Sequence, residues 1–256
     1  MEKVIAAERQ KEILRLLDMQ GSVKINSLAK HFQVSRETIR RDLIFLNEQG
    51  LIQRSHGGAT SIYEFSNIPT EDRINKSADI KAKLCEKAFE YIPENEVIFL
   101  DAGSTITHLA KLLATKSNYT IVTASLSVAN VLANSNNTII ITGGQLNSSN
   151  MSVEGFQTTN FIDHLKVSVS FLGTNGFERH NGPAVTDFSD AQVKSSIIPN
   201  SKCNIVISDS SKAFSSALVQ YANWSDIDYL ITDNQIPESV LAQIQKSTEV
   251  ILLDLP

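Results

Sequence analysis

The chain has 256 residues, 42% hydrophobic and 20% charged, with a net charge of −5; this ordinary globular composition excludes a disordered, collagen-like or disulfide-stapled protein. Two cysteines, Cys85 and Cys203, stand far apart without metal or redox spacing, so they read as small buried hydrophobes, and neither a metal nor a cofactor is expected. The apolar runs are strand-length and Met1 to Glu8 holds no uninterrupted apolar stretch, so no membrane partner or export signal is predicted and the expected location is the cytoplasm.

The first predicted helix begins near Glu8 and places Ile13, Leu14 and Leu17 on one face. After Gly21, Val23 and Ile25 alternate in a short extended piece, and a second helix, with Asn26 as its predicted cap, runs through Leu28, Ala29 and Phe32. Gln33-Val34-Ser35 forms a tight turn, and Ser35 is the predicted N-cap of a third helix ending near Gly50. In that helix Ile39, Leu43 and Leu46 recur at i, i+4 and i+7, which commits one face to a core. At about 100° per residue, Arg41 lies opposite the centre of that stripe and Arg40 on its flank. A helix carrying two outward guanidiniums suits the major groove of duplex DNA, because the guanidinium fork fits both phosphate oxygens and the guanine edge.

Residues Leu51 to Ala59 then read as a β-hairpin with a glycine turn, so the order is helix, helix-turn-helix, hairpin: a winged helix-turn-helix. Arg54 and His56 in the wing are placed to touch the DNA backbone or minor groove, with Ser35, Arg36, Glu37 and Thr38 near the start of the third helix. Other readings are open at this stage. Winged helices also serve as protein-binding modules, Glu37 can pair with Arg41 four residues on, and Ile44 can meet a thymine methyl or a second copy.

The charge divides unevenly. Residues 1–63 hold 10 Lys/Arg against 7 Asp/Glu, whereas residues 64–256 hold 13 against 21, so nucleic-acid contact is expected only in the first part. A polar stretch from Ser61 to about Asn75, containing Pro69, reads as a linker, giving a small domain at 1–60, a linker at 61–75 and a larger domain at 76–256.

A helical pattern resumes from Lys76 to Tyr91, and the chain then alternates short apolar runs with helices. The runs are Val97 to Leu100, Thr120 to Thr123, Ile139 to Thr142, Val167 to Leu172, Asn204 to Ile207, Asp228 to Ile231 and Val250 to Leu253. Helices are predicted at Thr105 to Leu113, Leu126 to Ala133, Gly155 to Ile162, Ala191 to Ile198 and Pro237 to Lys246. Such alternation predicts an α/β domain with a largely parallel sheet covered by helices.

Ligands collect at the carboxyl ends of strands in such sheets. Small polar turns stand there: Asp101 to Thr105, Thr123 to Ser125, Gly143-Gly144, Gly173 to Gly176 and Asp209 to Lys212. Singly they are ordinary caps and turns, with Asp209 and Lys212 able to form a surface pair and Lys194 solvated by default; together on one edge they would line a concave polar pocket.

The first sixty residues, through Arg9, Ile13, Leu17, Ser35, Thr38, Arg40-Arg41-Asp42-Leu43 and His56-Gly57-Gly58-Ala59-Thr60, resemble the amino-terminal signature of the DeoR family of bacterial transcriptional regulators. The second half, through Asp101 to Thr105, Ser125, Gly143-Gly144, Gly173 to Gly176, Lys194 and Asp209 to Lys212, resembles that family's effector-sensing domain, which is similar in fold to ribose-5-phosphate isomerase. The resemblance implies a double-stranded operator as one partner, a sugar phosphate or related metabolite as another, and a homo-oligomer. It implies that Ser104 and Thr105 hold the phosphate at the helix start, Asp101 the sugar hydroxyls, and Lys194 the anion or open-chain carbonyl, with Lys212 nearby and Gly103, Ser125, Gly143, Gly144, Gly173 and Asn175 around them.

Three positions depart from the family pattern. Ala124 stands where many members carry Asn, Asn147 where an Arg commonly follows the Gly-Gly pair, and Ala184-Val185 where Thr-Thr is usual. Loss of the arginine removes a charge-assisted contact and predicts an effector of lower negative charge or different seating. The alternative function is an isomerase-like enzyme with an appended DNA-binding module, using Asp101, Asp190 or Lys194 as base.

Overall fold

A computed structural model describes residues 6–20, 22–49, 51–55, 57–61, 70–75 and 77–255. The chain divides into two compact units, Met1–Ser66 and Asn67–Pro256.

In the first unit, helices α1 (Ala6–Gln20), α2 (Ile25–His31) and α3 (Arg36–Glu48) pack with strands β1 (Ser22–Lys24), β2 (Ile52–Ser55) and β3 (Gly58–Ser61). The three strands form an antiparallel sheet in the order β1-β3-β2. Its core joins Ile13 and Leu17 of α1, Leu28 of α2, Ile39, Leu43 and Leu46 of α3, and Ile52 of β2. Gly58 lets β1 and β3 approach, because a Cβ there would sit 1.8 Å from the Val23 carbonyl oxygen. The predicted Asn26 cap is corrected: α2 starts at Ile25 directly from β1, with Lys24 at the N-cap and no side-chain cap. The Ile25 N–H instead donates to the Gly57 carbonyl at 2.9 Å, so the strand pairing that feeds the helix also satisfies its start. A buried ion pair ties α1 to α3, with Arg9 Nε donating to Asp42 Oδ2 at 2.6 Å and Arg9 Nη2 to Oδ1 at 3.1 Å.

The second unit begins with helices α4 (Thr70–Ile74), which lies within the polar stretch read as a linker, and α5 (Ala78–Phe89). Strands β4 (Val97–Leu100), β5 (Ser117–Thr123) and β6 (Asn136–Ile141) follow, separated by α6 (Ser104–Leu113) and α7 (Leu126–Leu132). After the small hairpin β7 (Gln145–Asn147) and β8 (Ser152–Glu154) come α8 (Phe156–Asp163), β9 (Val169–Leu172), β10 (Ala184–Val185) and α9 (Phe188–Ile197). The chain ends with β11 (Asn204–Ile207), β12 (Val219–Gln220), β13 (Tyr229–Asp233), α10 (Glu238–Ile244) and β14 (Glu249–Leu253). All seven predicted strands join one parallel sheet in the order β14-β13-β11-β9-β4-β5-β6.

Alternate residues of the central strands feed two cores. Ile98, Leu100, Phe171 and Ile205 pack with Leu84 of α5, Ile106 of α6 and Val128 of α7. Phe99, Leu172 and Val206 pack with Ile162 of α8, Val193 of α9 and Ile244 of α10. The domain is therefore a sheet between two helical layers, as buried parallel strands require. The strand order reverses between β4 and β9, which opens a crevice at their carboxyl ends.

Candidate DNA interface and effector site

In the first unit α3 is fixed on one side and open on the other. The Ser35 Oγ accepts the Thr38 N–H at 3.1 Å and lies 2.9 Å from Thr38 Oγ1, an N-cap at the predicted residue. Ile39, Asp42, Leu43 and Leu46 are buried, whereas Arg36, Glu37, Arg40, Arg41 and Ile44 are exposed. Glu37 pairs with Arg40, at 3.5 Å, and not with Arg41; both side chains are more than half exposed, so this contact adds little. In the wing, exposed Arg54 donates its backbone N–H to Asn47 Oδ1 at 3.1 Å, which ties the hairpin to α3. His56 lies outside the described residues.

In the second unit the crevice between β4 and β9 holds a buried charge cluster. Asp101 follows β4 on the face that carries Phe99, and its Oδ2 accepts the Gly173 N–H at 2.8 Å from the end of β9. The ammonium of Lys194 on α9 donates to the same carboxylate and lies 3.4 Å from Asp190 Oδ1, one turn earlier. Lys194 is 1% exposed, which corrects the expectation of a solvated lysine: two carboxylates stabilise a cation that burial would otherwise make costly. Burial pulls its pKa down, but Asp101 and Asp190 outweigh that and hold it above the ordinary lysine value. Burial pushes the Asp190 carboxyl up to about 7; Lys194 pulls against this, while Asp101 and Glu154 add to it. One ammonium faces two carboxylates, and the more distant one, Asp190, is held above the ordinary carboxylate range. Tyr221 closes the cluster, its hydroxyl donating to the Gly173 carbonyl at 2.9 Å and its ring centroid 5.7 Å from Lys194 Nζ.

Across the crevice, Gly103 (φ +148°) leads into α6, whose first residue, Ser104, is buried and accepts from Lys81 Nζ at 3.1 Å. Thr105 follows, half-buried. Lys81 is itself 5% exposed and also donates to the Arg73 carbonyl at 2.6 Å. The Arg73 guanidinium donates to Thr70 Oγ1 at 3.0 Å. Burial lowers its pKa, while Asp190 and Asp101 pull the other way, which places it in the same field. A buried serine, the Lys81 ammonium and helix N–H groups together suit an anion.

The remaining predicted residues divide. Ser125 is buried and caps α7 by accepting the Val128 N–H at 3.2 Å. Gly143 accepts from Thr158 Oγ1 at 2.6 Å through its carbonyl, and Gly144, at φ +133°, passes so close to Thr158 and Glu154 that no Cβ fits. The Asn175 N–H donates to the Ala184 carbonyl at 2.9 Å, a contact that holds the β9 turn against β10. Asp209 is buried and accepts the Ser211 N–H at 3.1 Å, so it is not the surface group expected, while the Lys212 charge still acts on it. Burial raises its pKa, but Lys212, the Ser211 bonds and Lys81 together keep the carboxyl below its usual range.

Of the three departures, Asn147 donates its amide to Glu154 at 3.0 and 3.1 Å, a neutral donor where an arginine would bring a cation. Ala184 and Val185 are buried in β10, and Val185 and Ala124 both belong to the buried core. A cavity of about 360 Å³ beside α10, lined by Phe177, Arg179, His180 and Trp224 among others, includes none of the predicted effector residues. Among the described residues no group of His, Cys, Asp or Glu could hold a metal ion. No described helix is long and apolar enough to cross a membrane.

Sequence reasoning missed Arg73, Lys81, Glu154 and Tyr221. Lys81 carried a signal: it lies at i and i+4 with Cys85 and at i+7 with Ala88, on the buried stripe of α5, where a solvated lysine does not belong.

The DeoR-like helix-turn-helix domain matches residues 9–65 and the DeoR C-terminal sensor domain matches residues 76–234. The glycerol-3-phosphate regulon repressor of Escherichia coli K12 is 35% identical over 235 residues, covering 91% of this chain and 93% of that protein. The transcriptional regulator GolR of Listeria innocua is 32% identical over 244 residues, covering 93% and 94%. Among solved structures, ribose 5-phosphate isomerase A of Methanocaldococcus jannaschii aligns over 54% of this chain and 55% of that one at 17% identity, with a TM-score of 0.40. Both domains occur in the family's order and the likeness to named repressors runs through nearly the whole length, so this chain belongs to the DeoR family of transcriptional regulators.

Proposed function

We propose that this regulator acts as a repressor of a carbohydrate-utilisation operon, binding a duplex operator as a homo-oligomer and releasing it when a phosphorylated sugar, polyol or related metabolite occupies the second unit. The observation that carries the DNA half is the division of α3: Ile39, Asp42, Leu43 and Leu46 lock one face while Arg36, Arg40 and Arg41 stand exposed on the other. In this reading Ser35, Arg36, Glu37, Thr38, Arg40 and Arg41 meet the major groove, and Arg54 and His56 the backbone or minor groove. Two copies would present their helices about 34 Å apart on a palindromic site.

For the effector, the geometry favours a split between anion and hydroxyls. Lys194 is committed to Asp101 and Asp190, so the ligand's anion sits beside Gly103, Ser104, Thr105 and Lys81, with Lys212 in reach, while Asp101 and Asp190 receive hydroxyls. The names of the relatives support a phosphorylated ligand. Without an arginine at position 147, ordinary hexose and pentose phosphates should bind more weakly than micromolar. The test is retention of the fragment upstream of its own gene at rising salt, together with calorimetry on a panel of phosphorylated sugars and polyols. Absence of salt-sensitive retention would refute the DNA reading, and micromolar or tighter binding of hexose or pentose phosphates would refute the weakened anion site.

A further inference from the structure

Helix α4 is the first described element after the DNA-binding unit, and its one turn is too short to be stable alone. Its position in the second unit is set by contacts at both ends. The Thr70 N–H donates to the Ser149 carbonyl at 3.1 Å. At the other end Lys81 Nζ donates to the Arg73 carbonyl at 2.6 Å, and His108 Nε2 lies 2.9 Å from the Ile74 carbonyl. A carbonyl only accepts, so His108 carries its proton on Nε2.

Two of these contacts lead straight to the anion cradle. The ammonium that holds Arg73 also donates to Ser104 Oγ, and His108 lies one turn after Ser104 on the same helix. Arg73 itself rides on α4 and turns its guanidinium into the field of Asp101 and Asp190. An anion beside Ser104 therefore adds its attraction to the ammonium that holds α4.

We infer that α4 is the coupling element of this regulator: an anionic ligand beside Ser104 tightens the hold on α4 through Lys81, and α4, continuous in sequence with the DNA-binding unit, carries that occupancy to the operator. The inference rests on the effector reading above for its ligand, but its anchor is separable from the ligand. His108 touches α4 and not the cradle, so His108→Leu loosens the anchor and leaves Ser104, Lys81 and Arg73 in place.

The experiment measures, on the full chain, amide exchange of residues 70–75, operator affinity, and calorimetric affinity for glycerol 3-phosphate and inorganic phosphate. In His108→Leu, α4 amides should exchange faster and phosphate-compound affinity should fall at least about fivefold. Operator affinity without ligand should rise by a similar factor, because coupling is reciprocal. His108→Gln, whose amide can still donate to Ile74, should return all three towards the parent, and unchanged exchange in β4 and β9 shows that the unit stays folded. Faster α4 exchange with both affinities within about twofold of the parent overturns the inference, and so does unchanged α4 exchange in both His108→Leu and Lys81→Met. If neither compound binds the parent, the effector reading loses its support, and an operator affinity unchanged by His108→Leu then overturns the coupling on its own.

Discussion

Asp42→Ala tests the load carried by the ion pair between α1 and α3. Asp42 is 4% exposed, and its carboxylate accepts from Arg9 Nε, Arg9 Nη2 and Gln10 Nε2 at 2.6, 3.1 and 3.1 Å. The substitution leaves a guanidinium that is 8% exposed without its carboxylate. Removing one partner of a buried pair costs about 3–5 kcal/mol. A domain of roughly 60 residues holds only about 3–9 kcal/mol in total, and small domains sit towards the lower end. From a parent stability of about 5 kcal/mol, between roughly 3% and half of the molecules would have this unit unfolded at 25 °C. The loss should be confined to the first unit. Amide exchange in α1 and α3 should quicken by the full free-energy difference, while the denaturant transition followed by Trp224, the single tryptophan, which lies in the second unit, should not move. Asp42→Asn, which keeps an acceptor for Arg9, should lose less. Arg9→Met with Asp42→Leu should recover most of the stability, because a buried pair replaced by packed apolar groups is near neutral. A loss below about 1 kcal/mol in Asp42→Ala, or a double variant as unstable as the single one, would refute the reasoning.

Arg41→Ala should weaken operator binding by about 1–3 kcal/mol in fluorescence anisotropy and relax base preference, whereas an equal loss on specific and random duplex would demote Arg41 to a phosphate contact. Arg54→Ala should lower affinity on both with little change in preference. The raised Asp190 carboxyl makes the second unit pH-sensitive. A group that binds its proton more tightly folded than unfolded contributes most at acid pH and loses that contribution as pH climbs from about 4 to about 7. Urea titrations of Asp190→Asn should therefore show a flatter pH dependence over that window, and an unchanged slope would remove Asp190 as its source. Gly144→Ala places a Cβ 2.2 Å from Thr158 Oγ1 and 2.6 Å from the Glu154 carbonyl at a φ of +133°. The strain alone is of order 1–3 kcal/mol, so a melting temperature within a degree of the parent would show that the turn relaxes freely.

Local features were legible without a structure. The Ser35 cap, the Ile39, Leu43 and Leu46 stripe, and the strands Val97–Leu100 and Asn204–Ile207 occur where periodicity and turn chemistry put them. Each is decided within one turn or one strand, where side-chain spacing and capping chemistry act directly. The parallel sheet followed from the alternation, although not its order. That β4 lies between β9 and β5, and so opens its crevice at Asp101, depends on the β4–β9 pairing across more than seventy residues.

The charged groups were the least legible, because a lysine's environment is set by its distant partner. Lys194 reads as solvated until Asp101, 93 residues earlier, is folded against it. Lys81 reaches both the Arg73 carbonyl and Ser104 only when α4 and α6 pack together. Asn26 failed as a cap because the incoming strand already bonded the helix start to Gly57. The sequence by itself determined the seven strands of the parallel sheet and the basic face of α3, since these rest on neighbours in the chain. Tertiary structure alone decided which carboxylate each buried cation would face, because that choice is made by proximity in space.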